Sequence, residues 1–86
     1  MHKVHITLTD QGGTQHTAEV ATMHQHSELS LRLMPVFDRL DEYGLAWSAN
    51  TIDDEVHLAI TDCAVSVAAR ATREAAEMVR QAVSDG

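Results

Sequence analysis

The sequence predicts an α+β fold, a two-layer sandwich with the element order ββαββα and a mostly antiparallel four-stranded sheet carrying two helices on one face. Three observations lead to this prediction. Apolar residues alternate with polar ones in four short segments, recur at helical spacing in two longer segments, and are interrupted by turn-forming residues between them. Each hairpin then has one apolar face, and each helix has one apolar stripe. Packing the helices on the sheet buries both kinds of apolar surface.

The first two strands form a hairpin. Residues 3–9 alternate apolar and polar side chains, as expected of a strand with one buried face. Gly12 and Gly13 supply the positive φ angles that a tight connection needs, and a second strand follows over residues 15–23.

The register of this hairpin is predicted from burial. Placing Leu8 opposite Ala18 keeps the apolar side chains of both strands on one face, whereas a slip of one residue would not. The same register places His2 opposite His24 at the far end of the hairpin. We therefore expect histidine side chains to gather at that end.

Residues 27–43 predict an amphipathic helix that ends at Gly44, a residue suited to the left-handed conformation after a helix. Pro35 lacks a backbone N–H and clashes with the preceding turn, so the regular helix is expected to begin only near residues 31–34. A short strand over residues 28–34 is the alternative, because three leucines alternate there.

A second hairpin follows Gly44. Apolar residues alternate on both sides of the polar residues 50–54, which predicts two further strands joined at that stretch. Pairing Trp47 with Leu58 collects the large apolar side chains on one face.

The last element is predicted to be a helix. Asp62 is a good N-cap, and residues 63–83 are rich in strong helix formers. Residues 84–86 are expected to fray, and residues 1–86 together make one domain.

The charge of the chain limits its partners. Six basic residues against 13 acidic ones give a formal net charge of -7, which disfavours direct binding to nucleic acid. No apolar segment reaches the length of a membrane span or of a signal peptide. A protein partner with a basic surface is the more compatible interaction.

Size and cysteine content indicate the cellular setting. Cys63 is the single cysteine, so no intramolecular disulfide can form, and a reducing, cytoplasmic location is predicted. Cys63 is expected to fill the first turn of the last helix as a small apolar side chain. A core with one Phe, one Trp and one Tyr in 86 residues is small, which favours completion by a second copy in a homodimer.

Six histidines are the clearest oddity of the composition. The predicted register brings His2, His24 and His26 together, and imidazole is the commonest transition-metal ligand, so these three form a candidate Zn, Ni or Cu site. The alternative is that they are ordinary solvent-exposed side chains, because no acidic or cysteine ligand is fixed nearby by its spacing. No other cofactor is predicted.

The outer face of the predicted sheet is polar. It carries the side chains of His5, Thr7, Glu19, His57 and Thr61. We expect this face to meet solvent or a second molecule.

Two acidic runs are candidate partner-binding sites. They consist of Asp38, Asp41, Glu42, Asp53, Asp54 and Glu55. Like charges at this spacing do not favour local stability. A solvated surface is one explanation, docking onto basic side chains of a partner is another, and a Mg or Ca site is a third, although the spacing of a calcium-binding loop is missing.

The sequence contains no recognisable catalytic motif, so an enzyme is the less favoured expectation. The leading hypothesis is a small acidic protein-binding module, a regulator or inhibitor of the antitoxin, phage-inhibitor or immunity type. The alternative is a homo-oligomeric protein that binds a metal or a small molecule through clustered histidines.

Overall fold

The computed structural model describes residues 2–84. Its strands are β1 (His2–Asp10), β2 (Gln15–Thr22), β3 (Ala46–Ile52) and β4 (Glu55–Cys63). Its helices are α1 (His26–Arg32), α2 (Met34–Glu42) and α3 (Ala68–Val83), with a short 3-10 turn (Val65–Val67) before α3. Of the frayed tail expected over residues 84–86, residues 85 and 86 lie outside the described range.

The predicted α+β fold and the order ββαββα are confirmed, with three helices in place of two. The strand order is β2-β1-β4-β3. Both hairpins are antiparallel, but the central strands β1 and β4 run parallel, so the sheet is mixed. A parallel pair requires a long connection between its strands, and β2, α1, α2 and β3 together supply it.

The core lies between the sheet and the helices. The buried strand side chains alternate along the chain, as predicted for a sheet with one covered face, and are Val4, Ile6, Leu8, Val20, Val56, Leu58 and Ile60. The helices cover them with Leu29, Leu33, Val36, Leu40, Ala75 and Val79. Among residues 2–84, no helix is both long and apolar enough to cross a membrane.

Pro35 divides the predicted middle helix. α1 ends at Arg32 and α2 begins at Met34, so that Pro35 lies in the first turn of α2, where its missing N–H removes no helical hydrogen bond. The alternative strand over residues 28–34 is wrong, because Leu31 faces solvent from a helix. Gly44 adopts a φ of 72° after α2, as predicted.

The register of the first hairpin differs from the predicted one by two residues. Leu8 lies opposite His16, and the face assignment survives because a shift of two residues keeps every side chain on its side. The Asp10 carboxylate accepts hydrogen bonds from the backbone N–H groups of Gly12, at 2.9 Å, and Thr14, at 3.0 Å. These two hydrogen bonds make the connection between β1 and β2 shorter than the two glycines alone would predict.

The second hairpin is also shifted by two residues. Trp47 lies opposite Ile60, because the connection consists of only Asp53 and Asp54. Both aspartates adopt positive φ, 53° and 64°, which is the conformation of a two-residue type I′ turn. Aspartate tolerates this conformation better than most residues, although the more familiar signal ends in glycine.

Asp62 is not the N-cap of the last helix, contrary to the prediction. β4 continues to Cys63, whose backbone oxygen accepts a hydrogen bond from the Gln11 N–H at 2.9 Å. Cys63 is 2% exposed and belongs to the core, and α3 begins only at Ala68. Pairing with β1 therefore overrides the local helix propensity of these residues.

The buried Asp10 side chain is expected to stabilise the first hairpin. In addition to its two loop contacts, Asp10 lies 3.0 Å from Nε2 of His16, and this hydrogen bond holds the pKa of the Asp10 carboxyl below its ordinary value of 3.8. Because the pKa is lower in the folded chain, the contribution is present above 3.8 and is lost as the pH falls through the folded value.

We expect Asp10→Ala to lower the melting temperature at neutral pH, because it leaves the Gly12 and Thr14 N–H groups without their acceptor. Asp38→Ala, on the exposed surface of α2, is the control and should change little. The difference in melting temperature between wild type and Asp10→Ala should narrow as the pH falls below 3.8 and through the lower pKa of Asp10 in the folded chain. A gap that is equal at neutral and acid pH would contradict this role.

Candidate metal centre on the open sheet face

The face of the sheet that points away from the helices is mostly small and polar. The strand register places on it Thr7, Thr17, Ser48, Ala59 and Thr61. Against this background, one group of ionisable side chains lies where β2, β1 and β4 run side by side. This group is the candidate site.

His5 and His57 are neighbours across the central parallel pair. Their Cα atoms are partners in the β1–β4 register, so both side chains leave the sheet at the same level and on the same face. The two imidazole rings stack, with centroids 4.5 Å apart and planes inclined by 16°. Both residues are half-buried although no helix covers them.

Glu55 completes a set of three metal-ligating side chains. It precedes His57 by two residues on β4, so the two side chains share a face. Its Oε1 lies 2.9 Å from Nε2 of His5. One ligand atom from each of His5, Glu55 and His57 lies within 4.8 Å of the other two. Below, "the metal cluster" means these three residues.

The charge state of Glu55 suits metal binding. The hydrogen bond from His5 is the main reason why the pKa of the Glu55 carboxyl lies below its ordinary value of 4.5, and electrostatic interactions with His5, Lys3 and His57 lower it further. The side chain is therefore a carboxylate at neutral pH, which is the form that coordinates metals.

A second carboxylate lies on the other side of His5. Glu19 is the β2 residue opposite His5, and its Oε1 is 3.3 Å from Nδ1 of that ring. The other carboxylate oxygen, Oε2, lies 3.3 Å from Nζ of Lys3. His5 is thus held between two carboxylates, with Glu55 at Nε2 and Glu19 at Nδ1.

Two imidazoles and one carboxylate form a donor set that zinc uses in proteins. Ligands about 2.0–2.1 Å from a tetrahedral ion lie roughly 3.3 Å from one another. The His5–Glu55 pair at 2.9 Å already lies within this distance, whereas donor separations of up to 4.8 Å must shorten by as much as about 1.5 Å. Parallel rings cannot both direct in-plane lone pairs at one point. Binding therefore requires the His5–His57 stack to open by rotation of a side chain.

The histidines singled out from the sequence have different surroundings. His2 lies opposite Thr22 in the observed register, two residues away from its predicted partner. Nδ1 of His24 lies 3.1 Å from Oε2 of Glu28. The side chain of His26 lies outside the described part of the chain, so a site made of His2, His24 and His26 stays a prediction.

Sequence analysis placed His5, Glu19 and His57 on the polar face but did not recognise a site there. The Glu-x-His pattern of residues 55–57 is visible in the sequence. What brings it beside His5 is the parallel pairing of β1 with β4, which no local pattern specifies.

The acidic residues predicted to bind a partner lie in two layers of the fold. Asp38, Asp41 and Glu42 are on α2, whereas Asp53, Asp54 and Glu55 are at the β3–β4 connection. Asp41 accepts a 2.7 Å hydrogen bond from the Trp47 indole, and Glu42 lies 3.9 Å from Nε of Arg39. The docking role, the basic protein partner and the homodimer stay predictions.

A groove of about 490 Å³ lies between β2 and α3, away from the metal cluster. The charged side chains that line it come from α3 and are Arg70, Arg73, Glu74, Glu77 and Arg80. Arg70 lies 4.0 Å from Glu74, and Arg80 lies 3.2 Å from Glu77, so these arginines are already matched by neighbouring carboxylates. Two of the three arginines that line the groove are thus paired with glutamates of the same helix.

Comparison with known proteins does not identify a relative. No protein-family model, no curated protein and no solved structure matches the chain.

Proposed function

We propose that this protein binds a divalent transition-metal ion, best matched by zinc, through His5, Glu55 and His57. The observation that carries the proposal is the convergence of their three ligand atoms within 4.8 Å on one face of the sheet. The three side chains come from two adjacent strands, so the backbone holds them at fixed spacing.

The donor types favour a transition metal over magnesium or calcium. Two of the three ligands are imidazoles, which suit Zn, Cu, Ni and Fe, whereas Mg²⁺ and Ca²⁺ prefer oxygen ligands throughout. A site with two histidines and one glutamate also leaves a coordination position for water or an exchangeable ligand.

The position of the site supports reversible binding rather than catalysis. His5, Glu55 and His57 are half-buried on an uncovered sheet, so an ion can reach them without unfolding of the domain. Enzymes that act on small molecules usually surround the substrate with a cleft, and the groove between β2 and α3 is lined by other residues. A metal-carrying or metal-responsive protein fits this arrangement best.

Zinc titration of the purified chain at about pH 7.5 tests the proposal. Calorimetry should show saturable binding of one ion per chain, and magnesium should give none. At free zinc about 100 times the dissociation constant, binding should stabilise the fold by about 2.7 kcal/mol. For a domain of this size that corresponds to a rise in melting temperature of roughly 10 to 20 °C, reversed by a chelator.

The absence of saturable zinc, nickel or copper binding at this pH would overturn the proposal. A rise in melting temperature without a defined stoichiometry would also count against it, because nonspecific binding to an acidic surface gives no fixed ratio of ions to chains.

A further inference from the structure

The contacts of His5 outside the metal cluster assign a role to Glu19, and this inference rests on the proposed metal binding. Three strands contribute to the arrangement: Glu19 lies on β2, His5 on β1 and Glu55 on β4. Because β1 runs between the other two strands, the two carboxylates necessarily reach His5 from opposite sides.

A histidine that coordinates a metal through one ring nitrogen carries its proton on the other. Metal ligands of this kind commonly donate that second N–H to a carboxylate, which fixes the tautomer and the orientation of the ring. The Nε2 atom of His5 points towards Glu55 within the metal cluster, and Nδ1 points towards Glu19. One ring nitrogen of His5 is therefore placed to coordinate an ion, and the other is placed next to a carboxylate that can orient the ring.

We propose that Glu19 is the positioning residue of the metal site: it accepts the Nδ1–H of His5 and leaves Nε2 available to coordinate the ion. Lys3 holds the other oxygen of Glu19 at 3.3 Å, so Glu19 is restrained on its own side of the ring and does not act as a ligand. Glu55 thus coordinates the ion, and Glu19 orients the His5 ring.

The proton balance of this arrangement is simple. A carboxylate can only accept, so a proton on either ring nitrogen of His5 is donated towards its neighbouring carboxylate. Nε2 forms a 2.9 Å hydrogen bond with Glu55, and Nδ1 lies 3.3 Å from Oε1 of Glu19. An ion held at Nε2 would displace any proton there to solvent and leave the ring proton on Nδ1 beside Glu19, and Glu55 would be available to hold the ion.

Glu19→Gln and Glu28→Gln form a matched pair for the test. Both remove one negative charge from a glutamate that contacts a histidine, and the two side chains are similarly exposed, 55% and 58%. Zinc affinity, measured by competition with a chromophoric chelator, should fall about 10- to 100-fold in Glu19→Gln, the usual effect of losing such a supporting partner. In Glu28→Gln it should stay within about twofold of wild type.

NMR of the protein labelled with ¹⁵N-histidine supplies a readout that a purely structural role would not change. In the zinc-bound wild type, His5 should carry its proton on Nδ1 and coordinate through Nε2. The Nδ1 resonance of metal-free His5 should also shift in Glu19→Gln, because the charged acceptor is lost.

Two outcomes would overturn the role of Glu19 while the proposed function stands: zinc affinity unchanged in Glu19→Gln, or coordination through Nδ1 of His5. If wild type binds no zinc, the proposed function fails separately. In that case, an unchanged Nδ1 resonance of His5 in metal-free Glu19→Gln would show that Glu19 does not contact His5 in solution, and the positioning role would fail as well.

Discussion

Replacing His57 by alanine should weaken zinc binding by more than 100-fold. The substitution removes one of three protein ligands, which costs more than the roughly 10- to 100-fold loss that follows removal of a supporting contact. His57 is half-buried on the open face rather than in the core, so the folded structure should survive the change. The zinc titration and a circular dichroism spectrum measure the two effects separately.

The matched control is the double variant His2→Ala/His24→Ala. It removes two histidines of the group that the sequence suggested, and it should leave zinc affinity close to that of wild type. If His57→Ala binds zinc normally and the double variant does not, the zinc site lies at the end of the first hairpin and not at the metal cluster.

Leu58→Ala should reduce the free energy of unfolding by about 2 to 5 kcal/mol. Leu58 lies on β4 beside His57, but its side chain points to the helix layer and is 1% exposed. A domain of this length has a total stability of roughly 4 to 13 kcal/mol, so the change removes a large part of it. Urea denaturation followed by circular dichroism gives the value.

Leu31→Ala is the control for this prediction, because it deletes the same atoms from a side chain that is 72% exposed. Its effect should stay within about 0.5 kcal/mol. A loss below about 1 kcal/mol in Leu58→Ala would mean that the inner face of the central strand is not packed against the helices as described.

Local patterns predicted the elements of the fold because they act over a few residues. Alternation placed β1, β2 and β4, and Pro35 indicated that a regular helix begins near Met34, although the separate helix α1 before it was not predicted. The registers could not be predicted to the residue, since a shift of two preserves the buried face and only the turn decides between the alternatives. Here an aspartate-bonded loop and an Asp53–Asp54 turn made that decision.

Sequence analysis missed the candidate site because the site depends on contacts between distant segments. His5 and His57 are 52 positions apart, and only the parallel pairing of β1 with β4 brings them to one level. The hairpin histidines were more conspicuous because the predicted register of a single hairpin paired His2 with His24. Ligands that lie far apart in the chain and together in space are typical of sites on a sheet.

The most direct test is a crystal of the protein grown with zinc and measured just above the zinc absorption edge. We expect one anomalous peak per chain on the open sheet face, about 2.0 to 2.2 Å from Nε2 of His5, a carboxylate oxygen of Glu55 and a ring nitrogen of His57. A zinc peak held by His2, His24 and His26, with none between His5 and His57, would contradict the proposed site.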